Sequence, residues 1–124
     1  MAKFASDDIM DIYLTAFGTA IQRVGIALSQ PANYGALGTS VLGTVVTAAG
    51  NFTNGNGDSS GRKVTHAVAT ITVGTSGTIN HVVLYGTVGS GTLHFVGTCA
   101  PTAVTAAGTV ILNAWDVTEI GDPT

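Results

Sequence analysis

The chain has 124 residues, 45% of them hydrophobic and only 9% charged, with a formal net charge of −3. That length suits one domain around a single core, and the apolar content excludes an intrinsically disordered chain. The acidic balance argues against a nucleic-acid binder, which needs basic residues to displace counterions from phosphates.

Globular domains usually carry about 25% charged residues, so part of this surface is expected to be covered by other subunits. The basic residues are Lys3, Arg23, Arg62 and Lys63, and Cys99 is the sole cysteine. An internal disulfide is therefore impossible. Seventeen glycines, with many threonines, favour β structure with tight turns. The opening MAKFASDDIMDIYL carries acids within its apolar run, unlike a signal peptide. No apolar run approaches the roughly 20 residues of a membrane helix, so no membrane partner is expected.

In chain order, the spacing predicts one helix from Ser6 to about Phe17. Ile9, Ile12, Tyr13, Ala16 and Phe17 recur at helical intervals and define its apolar face. Ser6 is a good N-cap, Asp7 and Asp8 suit the positive end of the helix dipole, and Gly18 reads as the stop. Met10 and Leu14 widen the apolar face, so the helix packs on the β layer or projects towards a neighbouring subunit. Ile21 to Ser29 reads as a strand with Val24, Ile26 and Leu28 on one face. Gln30 to Asn33 breaks it. The glycine-spaced Tyr34 to Gly43 reads as a surface loop suited to contacts. Thr44 to Thr47 reads as a short strand, Phe52 begins another at an edge, and Asn54 to Gly61 is a polar loop.

Arg62 to Ala100 reads as three strands in an antiparallel meander. In the first, Ala67, Ala69, Ile71 and Val73 form an apolar face, opposite His66, Val68, Thr70 and Thr72. In the second, Val82 and Leu84 oppose His81, Val83 and Tyr85. In the third, Leu93 and Phe95 alternate with Thr92, His94 and Val96, after the hairpin signal Gly89-Ser90-Gly91. Pro101 to Gly108 is a link. Thr109 to Val117 is the last strand, with Val110, Leu112 and Ala114 opposite Ile111, Asn113 and Trp115. A polar tail follows. The expected fold is mainly β: one antiparallel sandwich over 1–124, jelly-roll or immunoglobulin-like, with a short N-terminal helix and strands from about 21 to 117.

No catalytic pattern emerges, and the chain is expected not to be an enzyme and to need no cofactor. His66, His81 and His94 lie on successive strands, and three adjacent strands would offer zinc a ligand set. No Cys, Asp or Glu stands beside them in ligand spacing, so they read as exposed or interfacial residues, with subunit contacts sensitive to pH as a milder expectation. Cys99 lies in an apolar string with no neighbouring cation and reads as a small hydrophobe. Asp58 alone in NGNGDSSG does not make a calcium loop. Asp7, Asp8 and Asp11 are explained by helix capping. GxSxG, phosphate-loop and dinucleotide motifs are absent. Trp115 reads as a core or interface anchor.

The chain resembles small structural proteins of tailed bacteriophages. The resemblance spans essentially its whole length and rests on the opening helix MAKFASDDIMDIYL, the strand ending at Ser29-Gln30-Pro31, GDSSGRKVT over Gly57 to Thr65, the strands NHVVLY and LHFV, and the closing AWDVTEIGDPT. It implies a head-decoration or cement protein on the capsid exterior of the virion, a β-sandwich acting as a homotrimer whose partner is the major capsid protein. The alternative is a tail or fibre-associated module binding host surface glycan through Tyr34, Tyr85 or Trp115. The residues expected at interfaces are Tyr34, Arg62, Lys63 and Tyr85, since aromatics and arginine dominate hot spots. The expected contact segments are the helix, the Tyr34 to Gly43 loop and the Asn54 to Lys63 loop.

Overall fold

A computed structural model describes residues 5–121. Helix α1 (Asp7–Ala20) starts as expected: the Ser6 Oγ accepts the Ile9 N–H at 3.3 Å, with Asp7 and Asp8 in the first turn. It does not stop at Gly18. That glycine is buried inside the helix against Phe52, where an added Cβ would lie 3.0 Å from the ring. Gly18 thus provides close approach rather than a cap. The buried stripe is Met10, Leu14 and Gly18, with Phe17 half-buried. The expected apolar face points outward instead: Ile9, Ile12 and Tyr13 are 50%, 63% and 68% exposed. The chain carries two apolar stripes on α1, and the Gly18–Phe52 contact selects the narrower one for the core.

Among the described residues nine strands follow: β1 (Arg23–Ala27), β2 (Val41–Val46), β3 (Phe52–Asn56), β4 (Arg62–His66), β5 (Ala69–Val73), β6 (Gly77–Gly86), β7 (Thr92–Val104), β8 (Thr109–Leu112) and β9 (Trp115–Ile120). They form a six-stranded sheet, β7-β6-β1-β2-β5-β8, and a three-stranded sheet, β3-β4-β9, antiparallel throughout. Val24, Ile26, Leu42, Ile71, Val73 and Leu84 of the large sheet meet Val64 and Val117 of the small one, with Leu14 and Ile21 beside them. The sandwich expected from the sequence is present.

A second, smaller cluster covers the outer face of the large sheet. Residues 34–43 are not a wandering loop. Tyr34–Ala36 forms a 3-10 turn, Leu37–Ser40 a one-turn helix α2, and β2 starts at Val41. Leu37 is buried against Ala27 and Val83, with Tyr34, Val41 and Tyr85 around it. Strand β1 is therefore apolar on both faces, as a central strand covered on both sides should be. Leu28 falls outside β1 and is exposed, not aligned with Val24 and Ile26.

The long strands read at 62–73 and 109–117 are each two strands. Both break at the same level: residues 67–68 lie between β4 and β5, and residues 113–114 between β8 and β9. Across the break His66 pairs with Trp115, and Ala69 with Leu112. One two-stranded ribbon thus turns a corner and contributes half of itself to each sheet. The side-chain parity changes at the corner. Val64 and His66 face inward before it; Ala69, Ile71 and Val73 face inward after it. His66 is consequently buried rather than exposed.

The expected meander survives only as the β6–β7 pair. β5 and β6 are joined by residues 74–76 but lie apart, separated by β2 and β1. The Gly74 and Thr75 N–H groups instead donate to the Leu42 carbonyl. So tight a link between non-neighbours requires the large sheet to curl. β7 continues past Cys99 through Pro101, which an edge strand tolerates because the missing N–H faces no partner. Its register jumps from His81↔Thr98 to Ile79↔Thr102, leaving Cys99 to Pro101 in a bulge opposite Asn80. A second shift, at Leu84/Tyr85, puts Phe95 on the inner core and Leu93 on the outer cluster.

The turn between β7 and β8 contains Ala107 at φ 69, the one non-glycine residue with positive φ among those described. Its N–H donates to the Val73 carbonyl at 2.9 Å, which holds the strained conformation in place. Left-handed backbone costs an L-residue roughly 1–2 kcal/mol, partly offset by glycine's greater unfolded freedom. Ala107→Gly is expected to raise unfolding stability by about 0.5–1 kcal/mol. A urea midpoint that stays put or falls would contradict this account of the turn.

Candidate functional site

Tyr34 and Tyr85 come together. Asn33 caps the 3-10 turn, its Oδ1 accepting the Ala36 N–H at 3.1 Å, and this sets the Tyr34 ring on the outer face of the large sheet. The two rings pack edge to face with centroids 5.8 Å apart. With Leu37, Val41 and Thr44 they line a depression of about 430 Å3. Burial raises the Tyr85 phenol pKa above its ordinary value, against a smaller opposing hydrogen bond with Thr44. The Tyr34 ring also lies over Gly91, at φ 81, where any Cβ would collide with it. The Gly89-Ser90-Gly91 signal therefore does more than turn the chain: it makes room for a ring 57 positions earlier in sequence, which no local pattern could reveal.

Arg62 and Lys63 are neighbours on β4 and point to opposite faces of the small sheet. Arg62 grips Asp11 of α1 with two hydrogen bonds, 2.9 and 3.0 Å, and donates a third to Asn56 at 2.6 Å. The hydrogen bond to Asp11 is the main cause of its raised pKa. Lys63 donates to Asp116 at 2.8 Å and Asp58 at 2.7 Å, and these two bonds, Asp116 first, hold its pKa well above the ordinary value. Asp116 is lowered in return, chiefly by Lys63 and then by Thr65. Both cations are committed within the chain. The Asn54 to Lys63 segment is a β3–β4 hairpin whose tip is held by Lys63–Asp58 and by the Asp58 N–H donating to Glu119 at 3.1 Å.

The three histidines do not converge. His66 belongs to the small sheet, His81 and His94 to the large one, and among the described residues no group of three His, Cys, Asp or Glu side chains could hold a metal. His66 sits in a hydrogen-bonded chain: Asn51 Nδ2 donates to Thr47 Oγ1 at 3.1 Å, and Thr47 Oγ1 lies 2.8 Å from His66 Nε2. His66 Nδ1 lies 2.6 Å from the Ala67 carbonyl. A carbonyl only accepts, so Nδ1 carries the proton and Nε2 accepts from Thr47. The ring is neutral, ties the end of β2 to β4, and is buried within the chain rather than at a subunit contact.

Around it runs a row of rings. Phe17–Phe52, Phe52–His66, His66–Trp115 and Phe95–Trp115 have centroids 6.2, 4.8, 6.4 and 5.6 Å apart. Trp115 anchors this row, as the sequence suggested, and its half-buried ring also lines a depression with Cys99 and Leu112. Cys99 is half-buried, and desolvation raises its thiol pKa, opposite to what a nucleophile needs.

With Arg62, Lys63, Asp11, Asp58 and Asp116 paired, the surface carries exposed apolar side chains in two places. One is the outer stripe of α1. The other is the outer face of β2, β5 and β8, where register sets Thr44, Thr72 and Thr109 in one row and Thr70 beside Ile111 in the next. Val46 and Ile111 on that face are 66% and 64% exposed. The sequence marks the α1 stripe as apolar and the helix as a contact segment, while the β2-β5-β8 patch goes unmarked because it depends on a strand order that local pattern does not reveal.

Burial lowers the His66 pKa from its ordinary 6.5, with the Ala67 hydrogen bond a smaller opposing cause. Between the folded and unfolded pKa values the unfolded chain binds a proton that the folded chain refuses. Stability is thus full above pH 6.5 and falls as pH drops below it. The unfolding midpoint is expected to decline between pH 7 and 5, and His66→Gln should flatten that decline while lowering the pH 7 midpoint. An equal slope in both proteins would remove His66 as the cause. Arg62→Gln is expected to speed amide exchange in α1 and leave β1 and β6 protected; unchanged exchange would mean the Asp11 pair does not anchor the helix.

Comparison of the chain with protein-family models, curated proteins and solved structures finds no match.

Proposed function

We propose that this chain is a structural protein of a tailed-phage virion: a decoration or cement protein on the head exterior, assembled as a homotrimer and bound to the major capsid protein. The observation that carries the reading is the fate of its charges. Arg62, Lys63, Asp11, Asp58 and Asp116 are spent on internal pairs. Facing outward are Ile9, Ile12 and Tyr13 on α1, beside the exposed Asp7 and Asp8 of its first turn, and Val46, Thr70, Thr72 and Ile111 on the β2-β5-β8 face. A cement protein needs such surfaces, since it strengthens a shell by spreading contact area across junctions, at roughly 25 cal/mol per Å2 of apolar area removed from water. Two separate patches on one small domain suit a subunit that touches its own copies with one and the shell with the other.

A second reading has one observation in its favour. Tyr34 and Tyr85 share the depression on the outer face, and paired aromatics beside hydroxyls can stack on a sugar ring. Under this reading the chain is a tail or fibre-associated module for host surface glycan.

Purified protein added to undecorated shells is expected to raise their resistance to heat. The double variant Ile12→Asp, Tyr13→Ser changes only exposed side chains, so its stability should stay within about 0.5 kcal/mol of the parent, while its shell binding falls at least tenfold. Shells left unchanged by the parent protein would overturn the decoration reading. Saturable glycan binding abolished by Tyr34→Ala would put the second reading in its place.

A further inference from the structure

β7 and β8 are the two edges of the large sheet, yet only residues 105–108 separate them in sequence. A turn that short normally closes a paired hairpin. Here the strands splay apart. The turn is fastened to β5 instead, through Ala107 N–H to Val73 and Val73 N–H to the Gly108 carbonyl. The bulge at Cys99 to Pro101 interrupts the β6–β7 register beside this opening.

The opening between them is a seam with two depressions. One, of about 460 Å3, lies between residues 102–105 and 108–111, with Val73 at its floor. The other, of about 200 Å3, is lined by Val82, Gly97, Cys99, Leu112, Asn113 and Trp115. No charged residue lines either one. Both walls are strand edges with no ladder partner on the seam side among the described residues. Trp115 Nε1–H is buried and has no hydrogen-bond partner among the described residues. A buried donor left unpaired is rare in a finished structure.

We propose that this seam is a strand-acceptor site for an extended, uncharged segment of a partner polypeptide. The guest lays its backbone along β7 and β8 and offers a carbonyl or hydroxyl oxygen to Trp115. Because β7 and β8 run in opposite directions, the guest is antiparallel to one and parallel to the other. Along the four residues of β8 it covers about 13 Å, at roughly 3.3 Å per residue. A second copy of the chain is a poor guest. Every strand among the described residues is already paired on at least one edge, so none can enter a two-edged slot without leaving its own sheet. This proposal stands apart from the virion reading and holds for any partner with such a segment.

The chain's single tryptophan and single cysteine both line the seam, which makes the protein its own reporter. The probes are capped five-residue peptides alternating Thr with Val, Thr with Ala, and Val with Asn, together with copies N-methylated at every second amide. At least one unmethylated peptide is expected to shift Trp115 emission saturably and slow Cys99 alkylation fivefold or more, with its N-methylated copy inert. Asn113→Arg, which sets a charge in the seam, should abolish both effects without altering the circular dichroism spectrum. Silence of both reporters across the panel overturns the proposal, as does equal action by the N-methylated copies. Dimers that protect Cys99 without peptide would assign the seam to a second copy and overturn the partner assignment.

Discussion

The corner at which residues 62–73 and 109–120 bend together is the constraint on which the sandwich depends. Either ribbon strand, left straight, would extend one sheet and leave the other without most of its strands: β4 and β9 are two of the three in the small sheet. The bend must satisfy two strands at once, and it does so with the directly paired His66 and Trp115. Their rings stand in the row that reaches from Phe17 on α1 to Phe95 on β7. Aromatic contacts of this kind contribute about 0.5–1.5 kcal/mol each beyond area burial. A neutral imidazole suits the place because it brings two hydrogen bonds into an apolar row and connects β2 to β4 through Thr47. A phenyl ring would keep the row and lose the connection.

The charge pattern follows from the same architecture. The helix has to be held against the small sheet at a fixed rotation, and Arg62 does this with a two-pronged grip on Asp11, a geometry lysine cannot supply. On the opposite face of β4, Lys63 holds the hairpin tip and β9 together through Asp58 and Asp116. Exposed pairs of this sort contribute little stability each. Their larger consequence is orientation. With α1 locked by Asp11, Met10 and Leu14 turn inward while Ile9, Ile12 and Tyr13 are held out in water. Internal pairing thus creates the apolar surface that the function proposed above requires.

Much of this was legible in the sequence. The N-cap at Ser6, the inner faces of β5 and β6, the GSG turn and the β class all follow from local chemistry and period-two alternation. What failed, failed where a distant partner decides. Gly18 reads as a stop until Phe52 is known to lie on it. His66 reads as exposed because alternation was carried through Ala67-Val68, and a corner that flips parity leaves no mark in composition. Residues 34–43 read as a loop because α2 is a single turn whose only reason to form is the outer face of the large sheet. Strand order was beyond reach for a related cause: the turn at 74–76 reads as a step of a meander, residues 101–108 read only as a link, and only the curl of the sheet separates the strands they join. Of the site residues, Tyr34 and Tyr85 were chosen as aromatics and do meet; Arg62 and Lys63 were chosen as cations, and beyond the nearby Asp58 nothing local marks their acidic partners Asp11 and Asp116, 51 and 53 positions away.

Two open sheets leave four edge strands, and each is guarded differently. β8 is only four residues long. β9 places Asp116 and Glu119 along its length, and β3 contributes Asn54, Gly55 and Asn56, which are poor strand formers. β7, the longest, carries Pro101 and two register shifts. Short length, charge, proline and bulges are the devices by which sheets avoid pairing with strangers. Those on β3 and β9 act along the whole edge. Those on β7 and β8 do not: the bulge and proline occupy the middle of β7, while the cavity beside Cys99, Leu112 and Trp115 stays uncharged and apolar. An edge meant only to repel would be expected to carry a charge there, since one lysine suffices. Its absence, next to a buried indole N–H with no partner among the described residues, is more consistent with an edge kept selective than with one simply closed off.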